Sequence, residues 1–315
     1  MRYINGELCR NNTITRGNCS SSSNTDTTLI GIFCLDGRSD DQAIEIKGNQ
    51  IEHLPYKNAS LNGAIDFIWN LYGINAWKLS GGGKRTVIIE DNRLSDFTYF
   101  SRFHGILSQY GEQISISKNV LYNIKGDRGY SFGIYSQLGD DVKMDHNVLR
   151  KIDFGSGNTG DGVLLFGYEM GSGTWGENTV VGNVLDSNRG YKELYSIATM
   201  WKGNWDISRN KVMRNYTVTP KGITVGIYFY YCVNMDIHDN VVAQNYGPAE
   251  TYYIYSTNYN TNQNLNVFHN TLYDSIGNSN GHASAMLYLD DDSRTEVVGN
   301  IVEGKGTGDV YPMFL

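Results

Sequence analysis

Proline is nearly absent, 4 in 315 residues. That scarcity suits a chain of hydrogen-bonded strands, because proline has no N–H to give a ladder. Cysteine is equally rare, and Cys9, Cys19, Cys34 and Cys232 show no metal-ligand spacing. Cys9 falls at an inward position and reads as a buried thiol, with a Cys19–Cys34 bridge left open. No apolar run reaches membrane-spanning length. Basic excess is missing too: 26 Lys and Arg against 33 Asp and Glu leave a net charge of −7. Nucleic acid and acidic membrane surfaces are thereby set aside as general partners. The opening Met1-Arg-Tyr-Ile-Asn-Gly6 is not a signal peptide. No helical period shows between the apolar segments.

What the chain does have is a recurring phrase. In Ile114-Ser-Ile116-Ser-Lys-Asn119-Val-Leu121, apolar residues stand five and three places before an asparagine and two places after it. Copies carry Asn147, Asn210, Asn240 and Asn270; looser ones carry Asn49, Asn92, Asn183 and Asn300, and a degenerate one Asn12. From Asn12 onward the spacings are 37, 43, 27, 28, 36, 27, 30, 30 and 30 residues. A period of this size marks a stacked-repeat architecture. Alternation before the asparagine has the two-residue period of a half-buried strand. The phase breaks at the asparagine, so a corner lies there, and asparagine tolerates the left-handed backbone that a corner needs. Stacked once per turn, the amides can bond one another, each bond contributing about 1 kcal/mol.

A second apolar element precedes most copies: Gly105-Ile106, Gly133-Ile134, Gly162-Val163, Ser196-Ile197, Gly226-Ile227 and Tyr253-Ile254. One repeat is therefore strand, turn, strand, asparagine corner, short strand, variable loop. Three strands per repeat with no helix between them can coil, each pairing with its counterpart one turn away. On these residues the chain resembles the right-handed parallel β-helix of the pectin-lyase-like superfamily. The resemblance implies an all-β fold over residues 1–315 as one domain, single-stranded, of about ten turns. It also implies an asparagine ladder at the corner between the second and third sheets. Residues 1–60 read as irregular first turns, 61–80 as a lateral insertion and 155–177 as an expanded turn. Both ends stop without an amphipathic cap, which implies an excised segment or a partner covering them.

In a coil the inward residues make the core, so outward residues and loops carry function. Aligning the first-sheet strands gives an outward column Leu107, Tyr135, Leu164, Ala198, Tyr228, Tyr255. A second column reads Gln109, Gln137, Phe166, Met200, Tyr230, Thr257. Aromatics with no core to fill mark a binding surface, and pyranose rings stack on them. A subunit interface and cover by loops remain the alternatives. Beside this sheet the loops bring Asp127 and Arg128, Asp153 and Asp161, Arg189, Lys192 and Glu193, Lys221 and Glu250.

The superfamily includes polysaccharide lyases, glycoside hydrolases and phage tailspike depolymerases. The resemblance thus implies a polysaccharide lying along the groove of loops and first sheet. Lyase chemistry needs a base and cations to hold a uronate; hydrolysis needs two carboxyls. Asp161 and Glu169 flank the groove as the acid pair, with Asp127, Arg128 and Lys192 as further catalytic candidates. Tyr135, Gln137, Phe166, Tyr228, Tyr230, Gln109, His104 and Arg189 are the substrate-binding candidates. The pairs Asp40-Asp41 and His104-Gly105 echo a polygalacturonase order, but in the wrong register. Asp140-Asp141 and Asp290-Asp-Asp292 are Ca²⁺ candidates that read more simply as solvated turn acids. The expected protein is a carbohydrate-active β-helix, extracellular or on a virion, tailspike-like and trimeric. The rival class is a non-catalytic glycan-binding or adhesin module.

Overall fold

The computed structural model describes residues 8–15, 28–36, 44–52, 60–69, 86–98, 103–109, 113–126, 131–137, 139, 141–155, 161–168, 176–201, 204–257, 263–275, 283–289, 293–304 and 310–313. These residues form strands and turns and contain no helix. One turn of the coil runs through a first-sheet strand, His104–Gln109, a second-sheet strand, Gln113–Ser117, and a third-sheet strand, Val120–Lys125. Each pairs in parallel with its counterpart one turn on, as Ile114 with Val142, Leu121 with Leu149, and Ile106 with Ile134. Ten strands stack this way in each of the first and second sheets. The third has the same run plus the short Arg189–Gly190 and Tyr216–Thr217. Residues Ser60–Trp69 form a first-sheet strand. The lateral insertion expected over 61–80 therefore does not hold for 61–69, and 70–80 lie outside the described residues.

Alternation drives the core. Ile114, Ile116, Val142, Met144, Ile207 and Ile237 point inward from the second sheet and are at most 1% exposed. Their neighbours Ser115, Lys143 and Asp236 face out. Each buried aliphatic side chain contributes about 1.5–3 kcal/mol. The asparagine ladder closes the second corner without a break. From Asn12 to Asn300 each amide Nδ2 donates to the Oδ1 of the next asparagine at 2.9–3.0 Å. Asn147 shows why no other residue serves. Its Nδ2 donates to Ile116 O and Asn183 Oδ1. Its Oδ1 accepts from the backbone N–H and the amide of Asn119. All four bonding positions of a fully buried side chain are filled, as burial of a polar group demands.

The left-handed residue of this corner is not the asparagine but the one before it. Lys118, His146, Arg209, Asp239 and His269 have φ between 53° and 57°, and Gly48, Gly182 and Gly299 stand there in other turns. The asparagine is committed to aiming its amide inward, so the preceding residue turns the chain. His146 and His269 thus occupy corners, each ring lying over the corner glycine of the next turn, Gly182 or Gly299.

A second buried ladder went unread in the sequence. Asn188 Nδ2 donates to Asn215 Oδ1 at 2.9 Å, the Asn215 backbone N–H donates to Asn245 Oδ1 at 3.0 Å, and the Ile152 N–H donates to Asn188 Oδ1 at 2.9 Å. It lies where the third sheet turns toward the first. Each member follows a main-ladder asparagine by five residues, a signal that was available. Asn215 heads an Asn-Tyr-Thr sequon but is 0% exposed, so it is not a glycan acceptor in the folded chain.

Candidate functional site

The outer face of the first sheet is aromatic. Its register places Leu107, Tyr135, Phe166, Ala198, Tyr228, Tyr255 and Tyr288 in one outward column. Phe132, Val163, Tyr195, Val225 and Tyr252 form a second column beside it. This corrects the alignment expected from sequence. Leu164 does not face outward: it is 0% exposed and belongs to the core. Phe166 takes the position after Tyr135, and Tyr168 stacks on Gln137. The cause is inward packing. Leu165 continues the column of Ile134 and Ile197, and Leu164 fills the inward place held by Gly133 and Ser196 in the adjoining turns. A Cβ at Gly133 would stand 2.5 Å from Leu149 Cδ2 and 2.6 Å from the Leu164 carbonyl, so backbone and third sheet close tightly there.

The rings pack on one another. Phe132 stacks on Tyr135 at 4.5 Å and on Phe166 at 5.5 Å, and Tyr135 stacks on Phe166 at 4.9 Å. His104 joins the stripe, 5.3 Å from Phe132. Further along, Tyr228 lies 5.2 Å from Tyr195 and 5.6 Å from Tyr255, and Tyr252 stacks on Tyr255 at 4.3 Å. Phe166 is only 7% exposed and Ala198 1%, so the stripe is a consolidated apolar surface rather than loose side chains. Burial pushes the Tyr228 phenol up, while Thr257, 2.9 Å away, pulls it back. The outer face of the second sheet is different: it carries Ser115, Lys143, Asp206 and Asp236, and ion pairs such as Lys118 with Glu90 at 2.8 Å.

Along the edge where the chain enters the first sheet stands a row of acids. Glu193 pairs in register with Ile223, and Ile223 with Glu250. Asp161 occupies the same row one turn earlier, directly ahead of the Gly162–Leu194 pair. Tyr195 donates to Glu193 Oε2 at 3.1 Å, and Tyr252 to Glu250 Oε2 at 2.8 Å. Burial and then Glu250 hold the Tyr252 phenol protonated, which keeps it a donor. Lys192 Nζ lies 3.6 Å from Glu193 Oε1. Asp161 is half-buried, and its Oδ1 is sealed from solvent with no hydrogen-bond partner among the described residues. Burial, then the neighbouring Glu193 charge, push its carboxyl above the usual range; Lys192 and the Glu193 N–H pull the other way.

The structure thus brings Asp161 and Lys192 together around Glu193. Sequence reasoning had noticed Glu193 but not given it a role. Tyr135, Phe166, Tyr228 and His104 lie in the aromatic columns, and Gln137 and Tyr230 in the column beyond. Arg189 does not join them: it sits on the third sheet with Nη1 2.7 Å from Asp153 Oδ2. The backbone of Gln109 continues the Gln137 column. Glu169, Asp127 and Arg128 lie outside the described residues, as do Asp140 and 290–292 among the Ca²⁺ candidates. Among the described residues no group of three His, Cys, Asp or Glu is arranged to hold a metal ion, and no helix is long and apolar enough to cross a membrane.

The second ladder positions the acid row. Asn215 Nδ2 donates to Ser196 Oγ at 3.2 Å, tying the third-sheet corner to the strand that begins at Glu193. Thr224 Oγ1 donates to Tyr246 O at 2.7 Å, and Gly247 N to Thr251 Oγ1 at 2.9 Å, fixing the approach to Glu250 in the same way.

Comparison with curated proteins returns no match. Among solved structures, the A-module of the Azotobacter vinelandii mannuronan C-5 epimerase AlgE4 aligns over 91% of this chain and 79% of its own, with 13% identity and a TM-score of 0.40. Residues 104–302, well over half of the chain, match the family model for the right handed beta helix region. With the parallel register and unbroken amide ladder already in view, that match settles the family: this chain belongs to the right-handed β-helix proteins.

Proposed function

We propose that the chain binds and cleaves a polysaccharide laid across the outer face of its first sheet. The observation that carries this reading is the aromatic surface from Phe132 to Tyr288 with the acid row of Asp161, Glu193 and Glu250 along its edge. Stacked rings offer flat apolar faces of the kind that saccharide C–H faces cover, and the partly exposed Tyr135, Tyr195 and Tyr228 packed on this buried cluster are the rings a ligand would meet. Acids of unequal environment beside it are what acid–base chemistry on a glycan needs. On this reading the protein acts outside the cell or on a virion.

A second reading, a non-catalytic glycan-binding or adhesin module, draws on the aromatic columns alone and asks no chemistry of the acid row. Incubation with a glycan panel, reading release of reducing ends, separates the two. Product, lost in Tyr135→Ala and Tyr228→Ala, supports cleavage. Binding without product leaves the module, and neither binding nor product removes the groove altogether.

A further inference from the structure

We infer that the first corner of the coil, where the first sheet turns into the second, carries a separate saccharide site. Trp201 and Tyr231 form its platform, and Asn204, Asn234 and Asn264 bond the hydroxyls. The site lies off the first-sheet face and shares with the reading above only the class of ligand. It holds sugar and breaks no bond.

The backbone is the starting point. Trp201 and Tyr231 follow Met200 and Tyr230, which pair in register at the end of the first sheet. Both take left-handed backbone, with φ of 62° and 57°. Every other described residue with positive φ is polar or glycine. That region is strained for a bulky side chain, and such strain persists where the surroundings impose it and collects at functional sites. Here the Trp201 N–H donates to Tyr230 O at 2.9 Å. Cys232, 0% exposed, anchors the corner from within, its Sγ 3.6 Å from the carbonyls of Thr199 and Tyr230. The result is display. The two rings stack at 5.1 Å, within 21° of parallel. That spacing is close to one turn of the coil, about 4.8 Å, so the rings pile along the coil axis. Tyr231 covers one face of Trp201, and the other looks back toward the preceding turn. Trp201 stays 40% exposed, against 7% for Phe166 on the first sheet.

Three residues after each ring the second sheet opens with an asparagine. Asn234 Nδ2 donates to Asn204 Oδ1 at 2.8 Å, and Asn264 Nδ2 donates to Asn234 Oδ1 at 2.7 Å. The two other ladders are buried and must bond internally; Asn234 and Asn264 stand in solvent, where water would serve them as well. What these bonds do is fix the direction of each amide. After bonding both neighbours, Asn234 keeps one N–H and one oxygen lone pair, the pair of functions that a sugar hydroxyl answers. The column runs on toward the open face of Trp201. Asn204 pairs with Glu177 one turn back, and the Glu177 N–H donates to Asp141 Oδ1 at 3.2 Å. Glu177, Asp141, Lys143, Gln113 and Thr86 line a cavity of about 380 Å³ on this outer face. A flat apolar ring with paired donors and acceptors beside it matches a pyranose, which has a C–H face and a rim of hydroxyls.

The test measures retardation of the full chain in native gels cast with a glucan, a galactan, a mannan or polygalacturonate, beside urea unfolding of each variant. Trp201→Gly removes the platform and relieves its backbone, since glycine takes positive φ freely. It should weaken binding to the retarding polymer about tenfold and unfold near the parent's midpoint. Trp201→Phe keeps a ring and should stay within about threefold of the parent. Asn264→Gly, also at a left-handed position, should weaken binding about threefold. Tyr216→Ala removes an equally exposed ring from the third sheet and should change nothing. Binding that falls in Tyr135→Ala and Tyr228→Ala but not in Trp201→Gly would overturn this inference and leave the first-sheet reading standing. The opposite pattern would keep this site and remove the first-sheet one. Lost stability in Trp201→Gly, with Asn264→Gly binding as the parent does, would make the ring pair a structural clasp and overturn the inference. Failure to bind any of the four polymers would overturn both.

Discussion

Where the third sheet turns toward the first, the column Phe97, Ile124, Ile152 in one half of the coil becomes Asn188, Asn215, Asn245 in the other. Both halves put a left-handed residue at the same place. Asp96, Asn123 and Lys151 precede the apolar members with φ of 52–60°, and Ser187, Arg214 and Gln244 precede the amides with φ of 55–58°. Corner shape, then, does not require asparagine. What the amides add is connection. Val148–Asp153 runs unbroken through its apolar corner, whereas Val184–Asp186 and Arg189–Gly190 are separate strands divided at the amide. The freed segment is then tied to the first sheet through Asn215 and Ser196. The amide half is the one whose connections deliver Glu193 and Glu250.

The largest expected effect comes from breaking the amide corner. In Asn215→Leu the Asn188 backbone N–H and amide lose their acceptor, and Leu185 O and Ser196 Oγ lose their donor. Orphaned buried groups cost about 1–3 kcal/mol each, so urea unfolding should show a loss of about 4 kcal/mol. Next comes a direct exchange between the halves. Ile124→Asn buries an amide between apolar neighbours and should cost about 3 kcal/mol. Ile152→Asn puts the same side chain beneath Asn188, whose Oδ1 already accepts from the Ile152 N–H. It should cost only about 1 kcal/mol. Equal losses at the two sites would mean that the second ladder is not a cooperative column.

How much of this could be read from the chain alone follows from what each residue is tied to. The main ladder was legible because its amides must recur once per turn whatever the loops do. The outward face was only partly legible, because loop length between the first and second sheets changes from turn to turn. Glu193 and Ile223 each stand 17 residues before their ladder asparagines, but Asp161 stands 22 before Asn183. Counting back from the ladder therefore misplaces Phe166 and hides the neighbourhood of Asp161 and Glu193. Gly162-Val163 imitates the opening of other first-sheet strands, and only the fit of Leu164 against the core reveals the true register.

Asp161 stands in the turn where the two halves meet, and its environment predicts a gain. Its folded pKa is raised, so the stability it contributes is complete below the unfolded value and is lost as pH rises through the folded one. Above that range the ionised, partly desolvated carboxylate is a net cost. Asp161→Asn should therefore melt higher than the parent once pH exceeds the folded value, and the advantage should fade below pH about 4, where the parent is protonated in both states. Melting curves across pH 3–8 check this. A destabilised variant at neutral pH would mean that the Glu193 N–H and Lys192 outweigh the desolvation of ionised Asp161.

The smallest effect tests whether the boundary itself needs a side-chain clasp. Arg189 of the first amide-corner turn reaches back to Asp153 of the last apolar-corner turn, 2.7 Å away, with both side chains about a quarter to a third exposed. Such pairs contribute about 0.2–1 kcal/mol and weaken with salt. The two residues are also register partners in the third sheet, and the Phe154 N–H donates to Arg189 O at 2.9 Å, a backbone bond that substitution leaves in place. Arg189→Gln should therefore cost about 0.5 kcal/mol at low salt, less at high salt, and leave glycan binding unchanged. A fall in glycan binding without a matching fall in stability would put Arg189 in contact with substrate, as its sequence position suggested. The division between a positioning corner and a binding face would then have to be redrawn to include it.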